Sequence, residues 1–264
     1  MDPLDEYKAA QRKSWAHFAS FEMLTTPPAG RLTAFAGIQR GQRVLDVGCG
    51  TGVVALTAAR KGADVTGLDL TPELLERAAS NAVTAGVKVT WQEGDAEKLP
   101  FADRTFDAVV SQFGHMFAPR PEVAIAEMLR VLRPGGTLAF ATWPPDLFTG
   151  RMFVLVASYL PPPPEGVSPP VQWGVPAIVR ERLGAKVEKL VFDTGTMFSP
   201  ALSPQHFRDF SERGAGPLIR LVAMLGDEPR KLAKFRSEYD ALVAEYFTDN
   251  TVRQDYLLAR AVRT

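Results

Sequence analysis

A chain of 264 residues, 46% hydrophobic and 23% charged, has material for one sizeable core, or for one domain carrying an inserted cap. Its 30 Lys+Arg balance 30 Asp+Glu, so the basic excess that duplex nucleic acid demands is missing, and a small-molecule partner rather than nucleic acid is expected. The acidic, polar start does not read as a signal peptide, no apolar run reaches the ~20 residues of a membrane span, and Cys49 is the only cysteine. A disulfide and a cysteine metal cluster are thereby excluded, His17, His115 and His206 show no ligand spacing, and the expected compartment is the cytoplasm, with no metal.

The first thirty-odd residues read as helical, with Trp15, Phe18 and Phe21 on neighbouring turns. From about residue 40 to 143 strand and helix signals alternate, the pattern of a parallel sheet flanked by helices. Val44–Val47 is a short apolar strand that runs into Gly48-Cys49-Gly50-Thr51-Gly52, and Val53–Lys61 reads as a helix ended by Gly62. Ala63–Leu70 is a second strand. Thr71-Pro72-Glu73 starts a helix with a capping hydroxyl, a first-position proline and a first-turn acid. Its predicted buried stripe is Leu74, Leu75, Ala78, Ala79, Ala82 and Val83, with Gly86 as its end.

Val87–Gln92 and Phe106–Phe113 supply a third and a fourth strand, and Pro121–Leu132 a helix. Arg133-Pro134-Gly135-Gly136 then turns the chain into a fifth strand, Thr137–Trp143. The proline-rich stretch around Pro161–Pro164, Pro169-Pro170 and Pro176 is a surface crossing in which Val171, Trp173 and Val175 want burial. Val187–Met197 is a sixth strand; helices follow at Pro204–Arg213, Pro217–Leu225 and Pro229–Phe247, and Thr251–Arg260 is a last strand. The predicted fold is therefore α/β and Rossmann-like, a mostly parallel seven-stranded sheet with helices on both faces and a helical cap inserted before the last strand. Its parts are a lid over 1–38, a cofactor-binding core over 39–145, a substrate cap with the sixth strand over 146–250, and the completing strand over 251–264.

The glycine loop is the strongest chemical signal: a strand that ends in glycines and opens a helix brings backbone N–H groups close to a ligand. Asp46 lies inside that strand, where a carboxylate costs several kcal/mol unless it accepts hydrogen bonds, about the scale of other buried polar groups, so it is expected to organise the loop or a ligand. Asp69 ends the second strand, where a carboxylate can accept both hydroxyls of a ribose. Asp95 follows Gly94 after the third, where one can take an adenine amino proton. Ligands bind at the carboxyl edge of such sheets, and these residues together outline an adenosine pocket.

On these residues the chain resembles the class I S-adenosylmethionine-dependent methyltransferases, and within them the type 11 branch that includes ubiquinone/menaquinone-biosynthesis enzymes. The resemblance rests on VLDVGCGTG at Val44–Gly52, Asp69-Leu70, Gly94-Asp95-Ala96 with Leu99-Pro100-Phe101, Phe106–Val110, and Leu132–Gly136 in that family's order. It covers about residues 40 to 143 and implies transfer of a methyl group from S-adenosylmethionine to a small, apolar or aromatic acceptor by in-line displacement. Residue by residue, it implies that Gly48, Cys49, Gly50 and Gly52 pack against the cofactor while Asp46 orders the loop and the methionine end. It implies further that Asp69 holds the ribose, Leu70 lines adenine, and Asp95 with the Ala96 amide reads the adenine edge. Ser111, Gln112 and Phe113 fall where the family places the methyl group and substrate; Trp15 and His115 are candidate substrate contacts, and His115 a candidate base. Ser111-Gln112-Phe113-Gly114 stands where nucleobase-directed relatives carry an Asn-Pro-Pro-Tyr type motif.

Phe148, Met152, Phe153, Met197, Phe198 and Phe207 are candidates to line an apolar acceptor pocket. Two other readings of the chain exist. Gly50–Ala55 fits a relaxed dinucleotide fingerprint, which allows an NAD(P)-dependent oxidoreductase. That reading leaves Asp46, Asp95 and the Arg133–Gly136 turn unexplained, and no tyrosine has a lysine four residues on. The other is a non-catalytic S-adenosylmethionine-binding protein.

Overall fold

A computed structural model describes residues 3–264. Helices α1 (Pro3–Trp15) and α2 (Glu22–Phe35) lead into the α/β core. There β1 (Arg43–Val47), α3 (Val53–Arg60), β2 (Asp64–Asp69), α4 (Pro72–Ala85), β3 (Thr90–Glu93), β4 (Phe106–Gln112), α5 (Pro121–Val131) and β5 (Leu132–Thr142) alternate. Next come α6 (Phe148–Tyr159), α7 (Pro176–Leu183) and β6 (Val187–Pro200). The helices α8 (Pro204–Gly214), α9 (Gly216–Met224) and α10 (Pro229–Ala244) precede β7 (Phe247–Thr248) and β8 (Thr251–Arg263).

The sheet order is β3-β2-β1-β4-β5-β8-β6, with β7 paired to β8. The pairs from β3 through β5 are parallel, while β8 runs antiparallel between β5 and β6. Chain order reverses between β1 and β4, which makes that junction the crevice where ligands of such sheets bind. Buried on both faces, β1, β4 and residues 137–142 of β5 read as nearly continuous apolar runs, and they carry the main core. A second apolar cluster joins α6 to α8, α9 and α10 through Phe148, Phe207, Leu218 and Phe235. No helix among the described residues is long and apolar enough to cross a membrane.

Several expectations are corrected. The seven expected strands form the main sheet, and to them the chain after Ala244 adds a two-residue β7 that pairs with β8 in a tight hairpin through Asp249 and Asn250, both at positive φ. Arg133–Gly136 is not a separate turn but part of β5, with the register shift to β4 absorbing the two glycines. The third strand begins at Thr90, not Val87. Ala79 and Val83 lie outside the buried stripe of α4, with Val83 at 84% exposure. The Thr71 hydroxyl makes no cap to α4 and instead bonds the Asp69 carboxylate. Helices α6 and α7 had no counterpart in the sequence reading. Trp173 of the proline-rich crossing is fully buried, as its composition required.

Candidate functional site

Asp46 projects from β1 behind the glycine loop, and its Oδ2 accepts from the Ala55 amide at 3.0 Å. Ala55 is the third residue of α3, so the strand carboxylate satisfies one of the free N–H groups at that helix start. Its Oδ1 is buried without a partner. Burial pushes its pKa up to about 7, opposed by the Ala55 N–H and assisted by the nearby Asp69 charge. A carboxyl raised in this way stabilises the fold in full below the ordinary carboxylate pKa, near pH 4, and that contribution is lost as pH rises through 7. Asp46→Asn is therefore expected to flatten the slope of unfolding free energy against pH between about 5 and 7 by up to roughly 1.4 kcal/mol per pH unit. Urea titrations at several pH values check it; parallel curves for variant and parent contradict it.

Asp69, 8% exposed at the end of β2, holds two backbone segments at once. Oδ2 accepts from Gly50 N at 2.8 Å, and Oδ1 from Thr71 N at 2.9 Å. Burial raises its pKa, and these N–H donors oppose the rise. Gly48 and Gly50 have φ of 66° and 54°, conformations that favour glycine. A Cβ on Gly48 would stand 2.8 Å from Gly114 Cα, so the loops after β1 and β4 touch backbone to backbone.

A cavity opens above this edge. Of the residues picked from sequence, Gly48, Gly50, Asp69, Leu70, Asp95, Ala96, Gln112, Phe113, His115 and Trp15 line it together. Asp46, Cys49, Gly52 and Ser111 do not reach its wall. Cys49 is buried with its amide donating to Leu68 O, and Gly52 faces Trp91 and Ala78. Ser111 Oγ donates to Val47 O at 2.6 Å and accepts from His115 N at 3.0 Å, so it locks the loop after β4. These four support the wall from behind.

His115, a candidate base and substrate contact from the sequence, is almost wholly buried just after β4. Its ring is buried against Phe140 at 4.6 Å and Trp173 at 4.8 Å, and neither ring nitrogen has a partner. Burial pushes its pKa down to about 3, with the Arg182 charge adding to the shift, so the ring is neutral at physiological pH. Phe113, at φ 61°, stacks on Trp143 with centroids 3.9 Å apart and forms an aromatic shelf. Gln112 anchors α2 by donating from Nε2 to Thr25 O at 2.7 Å, while its Oε1 is buried without a donor. His17 and His206 are exposed, and neither lines the cavity.

Sequence reasoning missed Lys8. From α1 its Nζ reaches Asp95 Oδ2 at 2.6 Å and Glu97 Oε2 at 2.7 Å, while Asp95 Oδ1 accepts from Glu97 N. Glu97, 1% exposed at its side chain, also takes Arg120. The N-terminal helix is thus tied by charge to the acid at the end of β3, across a separation of 87 residues that no local pattern signals.

Beyond the shelf the cavity is apolar, walled by Phe148, Met152, Phe153, Met197 and Phe207. Phe198, expected among them, points to solvent at 58% exposure because neighbours on a strand face opposite ways. A short polar chain sits in this wall: Thr149 Oγ1 donates to Gln254 Oε1 at 3.0 Å, and Gln254 Nε2 donates to Ser199 Oγ at 2.5 Å.

Residues 45–140 match the family Methyltransf_11, described as a methyltransferase domain. An uncharacterised protein of Mycobacterium tuberculosis is 37% identical over 254 residues, spanning 95% of this chain and 93% of its own. The demethylmenaquinone methyltransferase of Thermus thermophilus is 42% identical over 106 residues, which are 39% of this chain and 48% of that enzyme. Among solved structures, the YcgJ protein of Bacillus subtilis matches with a TM-score of 0.58 at 21% identity, over 89% of this chain and 98% of that one; the likeness is one of fold.

Proposed function

Because the chain belongs to the class I S-adenosylmethionine-dependent methyltransferases, in their type 11 branch, we propose that its carboxyl-edge cavity holds S-adenosylmethionine beside a small apolar or aromatic acceptor. The observation that carries this reading is one continuous cavity with a buried carboxylate, Asp69, and an unpartnered acceptor, Gln112 Oε1, at its sheet end and aromatic walls at the other. The cofactor contributes an electrophilic methyl on a sulfonium that departs as a neutral thioether.

In this reading Asp69 accepts the ribose hydroxyls. Leu70 lines adenine, and Asp95 with the Ala96 amide reads its edge. The backbone at Gly48 and Gly50 and the Gln112 amide oxygen receive the methionine end, with Asp46 holding the loop from behind. The helices of 1–38 serve as a lid latched by Lys8, and the 146–250 segment as the substrate cap. Trp15, Phe113 and the apolar wall exclude water and hold the acceptor for in-line transfer. His115 contributes wall, not proton transfer, because a neutral ring wedged between Phe140 and Trp173 is a poor base. The acceptor accordingly brings its own nucleophilicity, and we place the protein in the cytoplasm.

Calorimetry with S-adenosylmethionine, S-adenosylhomocysteine and NAD tests the assignment. Binding of the two adenosyl compounds without NAD is the expected result; tight binding of NAD alone ends it.

A further inference from the structure

A second cavity lies on the far side of an aromatic partition. It shares Gln11, Trp15, Phe117, Phe153 and Pro217 with the first, so the two cavities meet at these residues. Trp15 and Phe117 sit 4.6 Å apart by centroid, and Phe117 and Phe153 5.5 Å apart, edge to face. Joining the two cavities requires only that these rings turn, with no element unfolded.

The floor of the second cavity is apolar. It comes from α6, including Val154 and Ala157, and from the proline-rich crossing at Val171. Val154 presents its side chain on that floor at 54% exposure. The cavity's polar lining comes from Tyr7, Gln11 and Ser14 of α1 and from Arg220 of α9, the one cation among them. Arg220 is exposed and makes no hydrogen bond or ion pair with another described residue, and its charge acts on the Tyr7 hydroxyl. An apolar trough with one free guanidinium at its side is complementary to an apolar chain that ends in an anion.

We propose that the second cavity receives the distal arm of the methyl acceptor, an apolar chain that ends in a carboxylate or similar anion paired with Arg220, while the reacting end sits on the Phe113 shelf. The inference rests on the reading of the first cavity as the cofactor and acceptor site. It makes the acceptor an anionic amphiphile, longer than the first cavity, threaded past Trp15, Phe117 and Phe153.

The test uses the full chain saturated with S-adenosylhomocysteine and titrated calorimetrically with decanoate and with decyltrimethylammonium. Decanoate is expected to bind, and the cationic chain about tenfold more weakly. Arg220→Glu should weaken decanoate about fivefold or more, the scale of a charge pair removed and reversed. Ala157→Trp, which fills the trough from an exposed helix position, should abolish decanoate binding. Neither residue lines the first cavity, so S-adenosylhomocysteine affinity should stay within about twofold in both variants, with circular dichroism confirming the fold. If the parent binds S-adenosylhomocysteine but decanoate fails to bind, or binds equally in both variants, the tail site is overturned while the methyltransferase reading stands. If S-adenosylhomocysteine itself fails to bind, the reading beneath both falls first.

Discussion

Gly48→Ala is expected to unfold the protein more easily by roughly 2–5 kcal/mol and to abolish binding of S-adenosylhomocysteine. The lower part of that cost is the left-handed backbone forced on a residue with a Cβ, about 1–2 kcal/mol, and the remainder is overpacking at about 1–3 kcal/mol. The overpacking has no side chain to relieve it, because the new Cβ would stand 2.8 Å from Gly114 Cα and 3.1 Å from its carbonyl carbon. The reciprocal substitution, Gly114→Ala, drives a Cβ to 2.5 Å from Gly48 O and should carry the overpacking cost without the left-handed strain, since Gly114 sits at φ −87°. Gly50→Ala is the informative control: its Cβ would meet nothing within 4 Å, so it should cost only the strained φ in stability. Urea denaturation with calorimetry on the three variants reads both effects. Equal stability of Gly48→Ala and Gly50→Ala would contradict the tight contact between the two loops.

The second large effect is expected at Asp69. Asp69→Ala orphans the amides of Gly50 and Thr71 in a buried setting, at about 1–3 kcal/mol each, and weakens cofactor binding by a further 1–3 kcal/mol, about 5- to 150-fold. Asp69→Asn keeps one acceptor oxygen and should lie between the variant and the parent on both measures. The two losses come apart in the experiment: chemical denaturation reports the orphaned amides, and calorimetry on folded protein reports the ribose contact. An alanine variant that is destabilised but binds at full strength would assign Asp69 to the scaffold alone.

The sheet and its glycine loop were legible because each of their signals is local. A parallel strand buried on both faces is a short apolar run, and a tight turn at positive φ favours glycine, so Val44–Gly52 announces itself. Asp46 was legible as an anomaly, a carboxylate in an apolar strand, and its link to the start of α3 is the physical resolution. What escaped was set by tertiary context. The tie of Lys8 to Asp95 spans 87 residues, and a lysine on a polar helix looks the same whether solvated or paired. Cys49 and Gly52 sit in the loop motif yet face the core, since only one side of a tight turn can meet a ligand. Helix α6 was legible in principle, since Phe148, Met152 and Val156 recur at i, i+4 and i+8 on its buried face. The two-residue strand β7 is too short to carry a period at all.

Methyl transfer at this sheet edge requires adenosine to lie along the ends of β1, β2 and β3 with its sugar on Asp69. A crystal structure of the full chain grown with saturating S-adenosylhomocysteine measures this directly. The expected result is both ribose hydroxyls within about 3 Å of the Asp69 carboxylate and the purine between Leu70 and Asp95. Density for the ligand elsewhere, or a sheet edge left empty at saturation, would contradict it.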